Sequence, residues 1–200
     1  MDSGCRCPVF CTADIPAATL NLLLQFVEEY ISEFLDDPTL SMQVSDLIVI
    51  MGTNDITTIT EGSSSPVTSS PTAFLDHTLQ QVQEWFEINI TQPFTKGFTS
   101  HCFLVLDNKT TEDDSCIFVS TLDSAPGEIH SLRCNFDVAM INVTSCDIQG
   151  ESIEEGATGN FMRSGVTMTR ENLRLVTNGG IYIENGEVMI DEAWRNFHNW

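Results

Sequence analysis

Apolar residues at Leu20, Leu23, Leu24, Val27, Ile31, Phe34 and Leu35 recur three and four positions apart, the stripe of an amphipathic helix from Pro16 to about Leu35. Pro16 suits a first turn, and Glu28, Glu29 and Glu33 fall mostly off the stripe. Asp36-Asp37-Pro38 ends the helix, because a residue before proline avoids helical backbone. The unbroken run Leu47 to Met51 predicts a strand, with Ile56 to Thr60 returning antiparallel. A second stripe, Leu75, Leu79, Val82 and Phe86, predicts a helix opened by Ser70 and Pro71.

Three further strands are predicted, at about Phe98 to Leu106, Cys116 to Thr121 and Ile129 to Thr144. In the last of these, Leu132, Cys134, Phe136, Val138 and Met140 alternate with Ser131, Arg133, Asn135, Asp137 and Ala139, a period of two. Asp123-Ser124-Ala125-Pro126-Gly127 is turn chemistry. A hairpin centred on Ala125 sets Cys116 opposite Cys134, candidates for a cross-strand disulfide or for two small core residues.

The two helical stripes belong to a repeat. Pro16, Ala18, Leu20, Leu24, Gln25, Val27 and Glu29 recur 55 residues later as Pro71, Ala73, Leu75, Leu79, Gln80, Val82 and Glu84, and the same offset lays Leu47–Met51 over Cys102–Leu106. A helix-loop-strand unit is expected to be used twice. Residues 62–70, almost all Ser, Thr, Pro, Gly and Val, predict a flexible linker or a site for O-glycans. The expected organisation is therefore a Cys-rich opening and first unit over 1–61, the linker 62–70, a second helix with an antiparallel meander over 71–150, and a β-rich segment over 151–200.

In that last segment Asn178-Gly179-Gly180 and Asn185-Gly186 are turn signals, and Ile181, Ile183, Val188 and Ile190 around the second predict a hairpin. The run Gly179 to Ile190 also resembles one coil of right-handed parallel β-helix proteins, with Val143, Val166 and Val188 recurring at coil-like spacings of 23 and 22 residues. That resemblance implies an extracellular adhesin or a polysaccharide-active enzyme.

Directly after the Leu47–Met51 strand, Gly52-Thr53-Asn54-Asp55 resembles the Gly-x-Asn-Asp block of the SGNH (GDSL-type) esterases, which implies an oxyanion hole at a strand end. The family's nucleophile block is approached only by Met1-Asp2-Ser3-Gly4, and none of His77, His101, His130 or His198 follows an Asp by three residues. Without nucleophile and base the block is a turn. Glu112-Asp113-Asp114, after Asp107-Asn108, offers oxygen ligands suited to weak calcium binding but lacks the spacing and central glycine of an EF-hand loop; Glu151, Glu154 and Glu155 carry the same ambiguity. No other cofactor motif is present in the sequence.

Charge narrows the partners. With 29 Asp and Glu against eight Lys and Arg, and only Lys96 and Lys109 as lysines, the net charge is -21. Such a chain repels nucleic acid and anionic membranes, and no run approaches the roughly 18 apolar residues of a membrane span. A protein or glycan partner is expected instead. Seven cysteines, Cys5, Cys7 and Cys11 among them, and Asn-x-Thr sequons at Asn89, Asn108 and Asn142 predict an oxidising, glycosylated setting. The three opening cysteines have few apolar neighbours and are expected to bridge to partners elsewhere first, with a metal as the second alternative. No signal peptide opens the chain and it stops at Trp200 after amphipathic sequence, so a piece of a longer secreted protein is expected.

The predicted fold is α+β, a duplicated helix-strand unit whose two amphipathic helices pack on a mostly antiparallel sheet. In element order it resembles the helix-on-curved-sheet modules of cystatin-like and SEA-like type. The expected function is a non-enzymatic, acidic interaction module of the extracellular space or cell surface; the alternative is a hydrolase, of SGNH or β-helix type.

Overall fold

The computed structural model describes residues 5–34, 42–122, 128–150, 159, 161–162, 165–177, 181–184 and 187–190. Helices and strands alternate along them, and five strands form one mixed sheet in the order β2-β1-β3-β4-β5. These are β1 (Cys7–Cys11), β2 (Ile48–Ile50), β3 (Cys102–Leu106), β4 (Ser115–Ser120) and β5 (His130–Asn135). The main helices are α1 (Ala17–Phe34), between β1 and β2, and α3 (Leu79–Phe86), between β2 and β3. Single turns α2 (Val44–Leu47) and α4 (Thr110–Asp113) precede β2 and β4.

The topology explains where the helices lie. β1 pairs in parallel with β2 on one side and with β3 on the other, so each link needs a crossover, and each carries a helix. The first crossover moves outward from β1 to β2, and the second returns past β1 to β3. With the usual right-handed turn, opposite directions place the two helices on opposite faces. Side chains agree. Leu20, Leu24 and Val27 of α1 share a core with Val9, Cys11, Leu104 and Phe118. Val82 and Phe86 of α3 pack instead with Phe10, Phe103, Val105 and Val119. Beyond β3 the chain continues as the expected antiparallel meander, with Cys116 opposite Cys134.

Several expectations are corrected. The opening segment is an interior strand of the sheet: Cys7, Val9 and Phe10 of β1 are fully buried, because a strand covered on both faces is a short continuous apolar run with no alternation to mark it. The sheet is mixed, with two parallel pairings, and has helices on both faces. The second helix begins at Leu79, not at Pro71. Thr78 and Gln81 form a reciprocal capping box there, while Leu75 sits in a turn, 38% exposed. Ile56–Thr58 is a 3-10 turn instead of a returning strand.

The strand expected to run to Thr144 stops at Asn135, and Phe136–Thr144 is α5. Phe136, Met140 and Val143 are spaced i, i+4, i+7, a helical stripe hidden inside the period-two pattern. Val138 and Ala139 are buried as well, since α5 lies against α1, where the Tyr30 and Thr144 hydroxyls meet at 2.7 Å. Val143 is thus helical and belongs to no β-helix coil. Near the end of the chain, α6 (Arg170–Thr177) precedes β6 (Ile181–Glu184) and β7 (Glu187–Ile190), an antiparallel pair.

Residues 62–70 are held at Ser63, Ser65 and Val67. Asn21 of α1 donates to Val67 O at 2.8 Å and accepts from Val67 N–H at 2.8 Å and from the Ser65 hydroxyl at 3.1 Å. Ser63 N–H donates to Ile48 O at 3.0 Å, and Ile50 N–H donates to the Ser63 hydroxyl at 2.8 Å. A Cβ at Gly62 would lie 1.9 Å from Ser45 O, so only glycine allows this approach. Strands from either side of this segment share the one sheet.

Candidate functional site

Sheets with helices on both faces bind ligands outside the carboxyl ends of their strands, at the point where crossovers part to opposite sides. Here that point lies between β1 and β3, and it is filled. Thr12 donates its N–H and its hydroxyl to Leu106 O, at 2.9 and 3.2 Å. Asp76, at a φ of 62°, donates its N–H to Thr12 O at 3.0 Å. The Phe74 ring stands edge-on to Phe10 at 4.8 Å and to Trp85 at 5.0 Å.

Two of the acids expected to offer calcium ligands, Asp107 and Asp113, are engaged at this same end. Arg133 donates to the Asp107 carboxylate and, at 2.8 Å, to the Ser115 hydroxyl. Asp113 accepts from Ser115 N–H and hydroxyl and pairs with Lys109 at 3.4 Å. Burial pushes the Asp113 carboxyl up, but Ser115, Lys109 and Arg133 outweigh it and leave it below the usual carboxylate range. Among the described residues no three His, Cys, Asp or Glu side chains stand where they could hold one metal ion. Glu151, Glu154 and Glu155 lie outside the described residues.

Gly52-Thr53-Asn54-Asp55 is an open turn after β2. The Asp55 carboxylate accepts from Thr57 N–H at 3.1 Å and from the Thr57 hydroxyl at 2.7 Å, and so caps the 3-10 turn. The sequons differ in setting. Asn108 is exposed, Asn89 is half-buried and donates to Trp85 O at 2.8 Å, and Asn142 is 4% exposed in α5.

The described cysteines are free, and all but Cys5 are buried. Beyond the expected pair Cys116 and Cys134, their gathering on one face was not legible in sequence. Cys7, Cys11, Cys102, Cys116 and Cys134 all face α1 and α5, and Cys146 lies above the same face, in the π-turn Ser145–Gln149. The Cys116 and Cys134 sulfurs are 3.8 Å apart. Cys102 pairs in register with Ser120, and Ser120 with His130. Cys146 Sγ stands 3.5 Å from the Ser120 hydroxyl, beside Cys102. The hydrogen bond to Cys102, then burial, push the Cys146 thiol far up. Cys146 favours the Cys102 thiolate, but Cys7 and complete burial outweigh it. Thiols held protonated are poor nucleophiles, so these are not activated cysteines.

The accessible site lies at the opposite, amino-terminal end of β1 and β3. After α3 the helix widens into a π-turn, Glu87–Thr91, closed by Gln92 N–H to Glu87 O at 2.9 Å. Pro93 stops it, and Phe94 turns the chain at a φ of 50°. Gly97, at a φ of 83°, brings the loop back under Arg6, whose backbone N–H and Nε both donate to Gly97 O at 3.0 Å. The Arg6 guanidinium lies 5.3 Å from the Phe98 ring centre. Cys5, Phe94, Thr95, Lys96, Gly97, Phe98 and Ser100 enclose a cavity of about 300 Å³. Phe94 is 78% exposed and Ile88, in the π-turn, 61%.

Comparison with protein families, curated proteins and solved structures finds no match to this chain. The site therefore rests on its own chemistry. Burial, then the Asp147 carboxylate, push the Cys5 thiol up, and Asp147 itself accepts from the Thr99 hydroxyl. The rim offers an exposed aromatic, an ammonium and small polar groups. Sequence reasoning missed it, although Pro93-Phe94-Thr95-Lys96-Gly97 carries the signal, an aromatic and a lysine held between two turn-forming residues.

Proposed function

We propose that the chain is an acidic interaction module of the extracellular space or cell surface, and that it engages its partner through the Ile88–Phe98 stretch. Phe94 carries the reading. Left-handed backbone costs an L-residue about 1–2 kcal/mol, and burial returns little of it here because the ring stands in solvent. A strained, exposed aromatic is explained by what it touches outside the chain. The exposed sequon at Asn108 and the facing pair Cys116 and Cys134 support the placement outside the cell. We also infer that the two crossovers are copies of one helix-strand unit, since Leu47–Met51 and Cys102–Leu106 each include a strand parallel to β1.

The test needs no partner. Phe94→Gly relieves the left-handed strain and adds about 0.5–1 kcal/mol of unfolded-state freedom, for a net stabilisation of about 0.5–1 kcal/mol in urea unfolding. If the variant is instead less stable, the ring supports the fold and the reading is lost.

A further inference from the structure

The cavity beside Phe94 says what kind of ligand it takes. Lys109 pairs with Asp113, Arg133 with Asp107, and Arg170 with Glu33. Among the cations whose side chains are described, Arg6 and Lys96 are the exceptions, with no carboxylate partner in the described residues. Arg6 spends its donors on the carbonyls of Gly97 and Thr60. Lys96 is exposed and unpaired among the described residues. In a chain with 29 acids against eight bases, two such cations in one place are the unusual case. Both belong to the loop that encloses the cavity or anchors it.

We propose that this cavity binds a small organic carboxylate with an apolar body, an inference that rests on the Ile88–Phe98 stretch being the binding face. Phe94 and Phe98 supply aromatic wall for the apolar part, and Lys96, on the rim, supplies the counter-charge. At about 300 Å³ the cavity is at the small end of the range for ligand pockets, roughly 300–1,000 Å³. The net charge of -21 opposes an anion at long range, but at physiological salt the field is screened within about 8 Å. At the rim the local groups decide: Lys96 is exposed and has no carboxylate partner among the described residues, and the nearby Asp147 carboxylate is bonded to Thr99.

Amide chemical shifts of the full chain, titrated with sodium octanoate and separately with octanamide, test the proposal. The expected result is saturable shifts at Cys5 and Thr95–Phe98, with octanoate bound about ten-fold tighter than its neutral amide. Lys96→Met, a change at an exposed side chain, should remove that preference. Gln25→Ala, in the separate hollow along α1, should leave it intact. No saturable shift, equal affinity for the two probes, or a preference surviving in Lys96→Met would overturn the ligand class. None of these outcomes bears on whether Phe94→Gly stabilises the fold, so this inference and the reading beneath it fail separately.

Discussion

Asn108 and Asn142 carry the same acceptor triplet and have opposite prospects. Asn108 opens the turn before α4, exposed, beside Lys109. Asn142 lies inside α5 with its amide 3.7 Å from Met168 Sδ. In a secreting eukaryotic host, glycan is expected on Asn108 and not on Asn142, read from peptide masses before and after glycan removal. The same sample should gain one alkylation pair, Cys116 and Cys134, only after reduction, since their sulfurs need close by less than about 2 Å to reach bonding distance. Glycan on Asn142 would require α5 to be open in the mature protein. Single residues were the scale at which sequence spoke least: the three sequons look alike until burial separates them, and Phe94 is one of twelve phenylalanines until its backbone angle is known.

The elements were legible where their signal was local. α1 starts one residue after Pro16, β3 falls within its apolar run and β4 lies one residue off the expected Cys116 to Thr121, because stripe and run are properties of neighbouring residues. β1 was missed because its five residues carry no period, and its burial comes from β2, β3 and two helices contributed later in the chain. α3 was placed too early because Leu75 falls on the helical stripe, while the capping box at Thr78 decides where the helix begins. That box gives a direct test. Thr78→Ala removes the acceptor for Gln81 N–H and is expected to cost about 1 kcal/mol in urea unfolding; Thr78→Ser should cost little. Equal losses in both would show that the methyl group, and not the cap, matters there.

For the whole molecule the cysteine-lined face sets an alkaline limit. Burial raises the Cys11 thiol from 9.0 to about 12, and Cys102, Cys116 and Cys146 are raised as well, Cys116 chiefly through its bond to Cys134. Thiols whose folded pKa is raised keep their full contribution below about pH 9 and lose it as pH climbs toward the folded value. With four such groups the slope approaches about 5 kcal/mol per pH unit. A domain stabilised by about 5–15 kcal/mol is then expected to unfold within a few units above pH 9 under reducing conditions, followed by circular dichroism. Stability unchanged to pH 11 would contradict this burial.

The two outer strands of the sheet are each occupied from outside. Ser63 bonds along β2, and Met168 exchanges backbone hydrogen bonds with Arg133 and Asn135 on β5, at 2.8 and 2.9 Å. A mixed sheet rich in Val, Ile, Phe and Cys would otherwise present free backbone as a template for fibril growth. The Ser- and Thr-rich stretch after Gly62 thus acts as a gatekeeper against aggregation at one margin and the Met168 segment at the other, and an acidic chain at high concentration is kept apart by geometry as well as by charge.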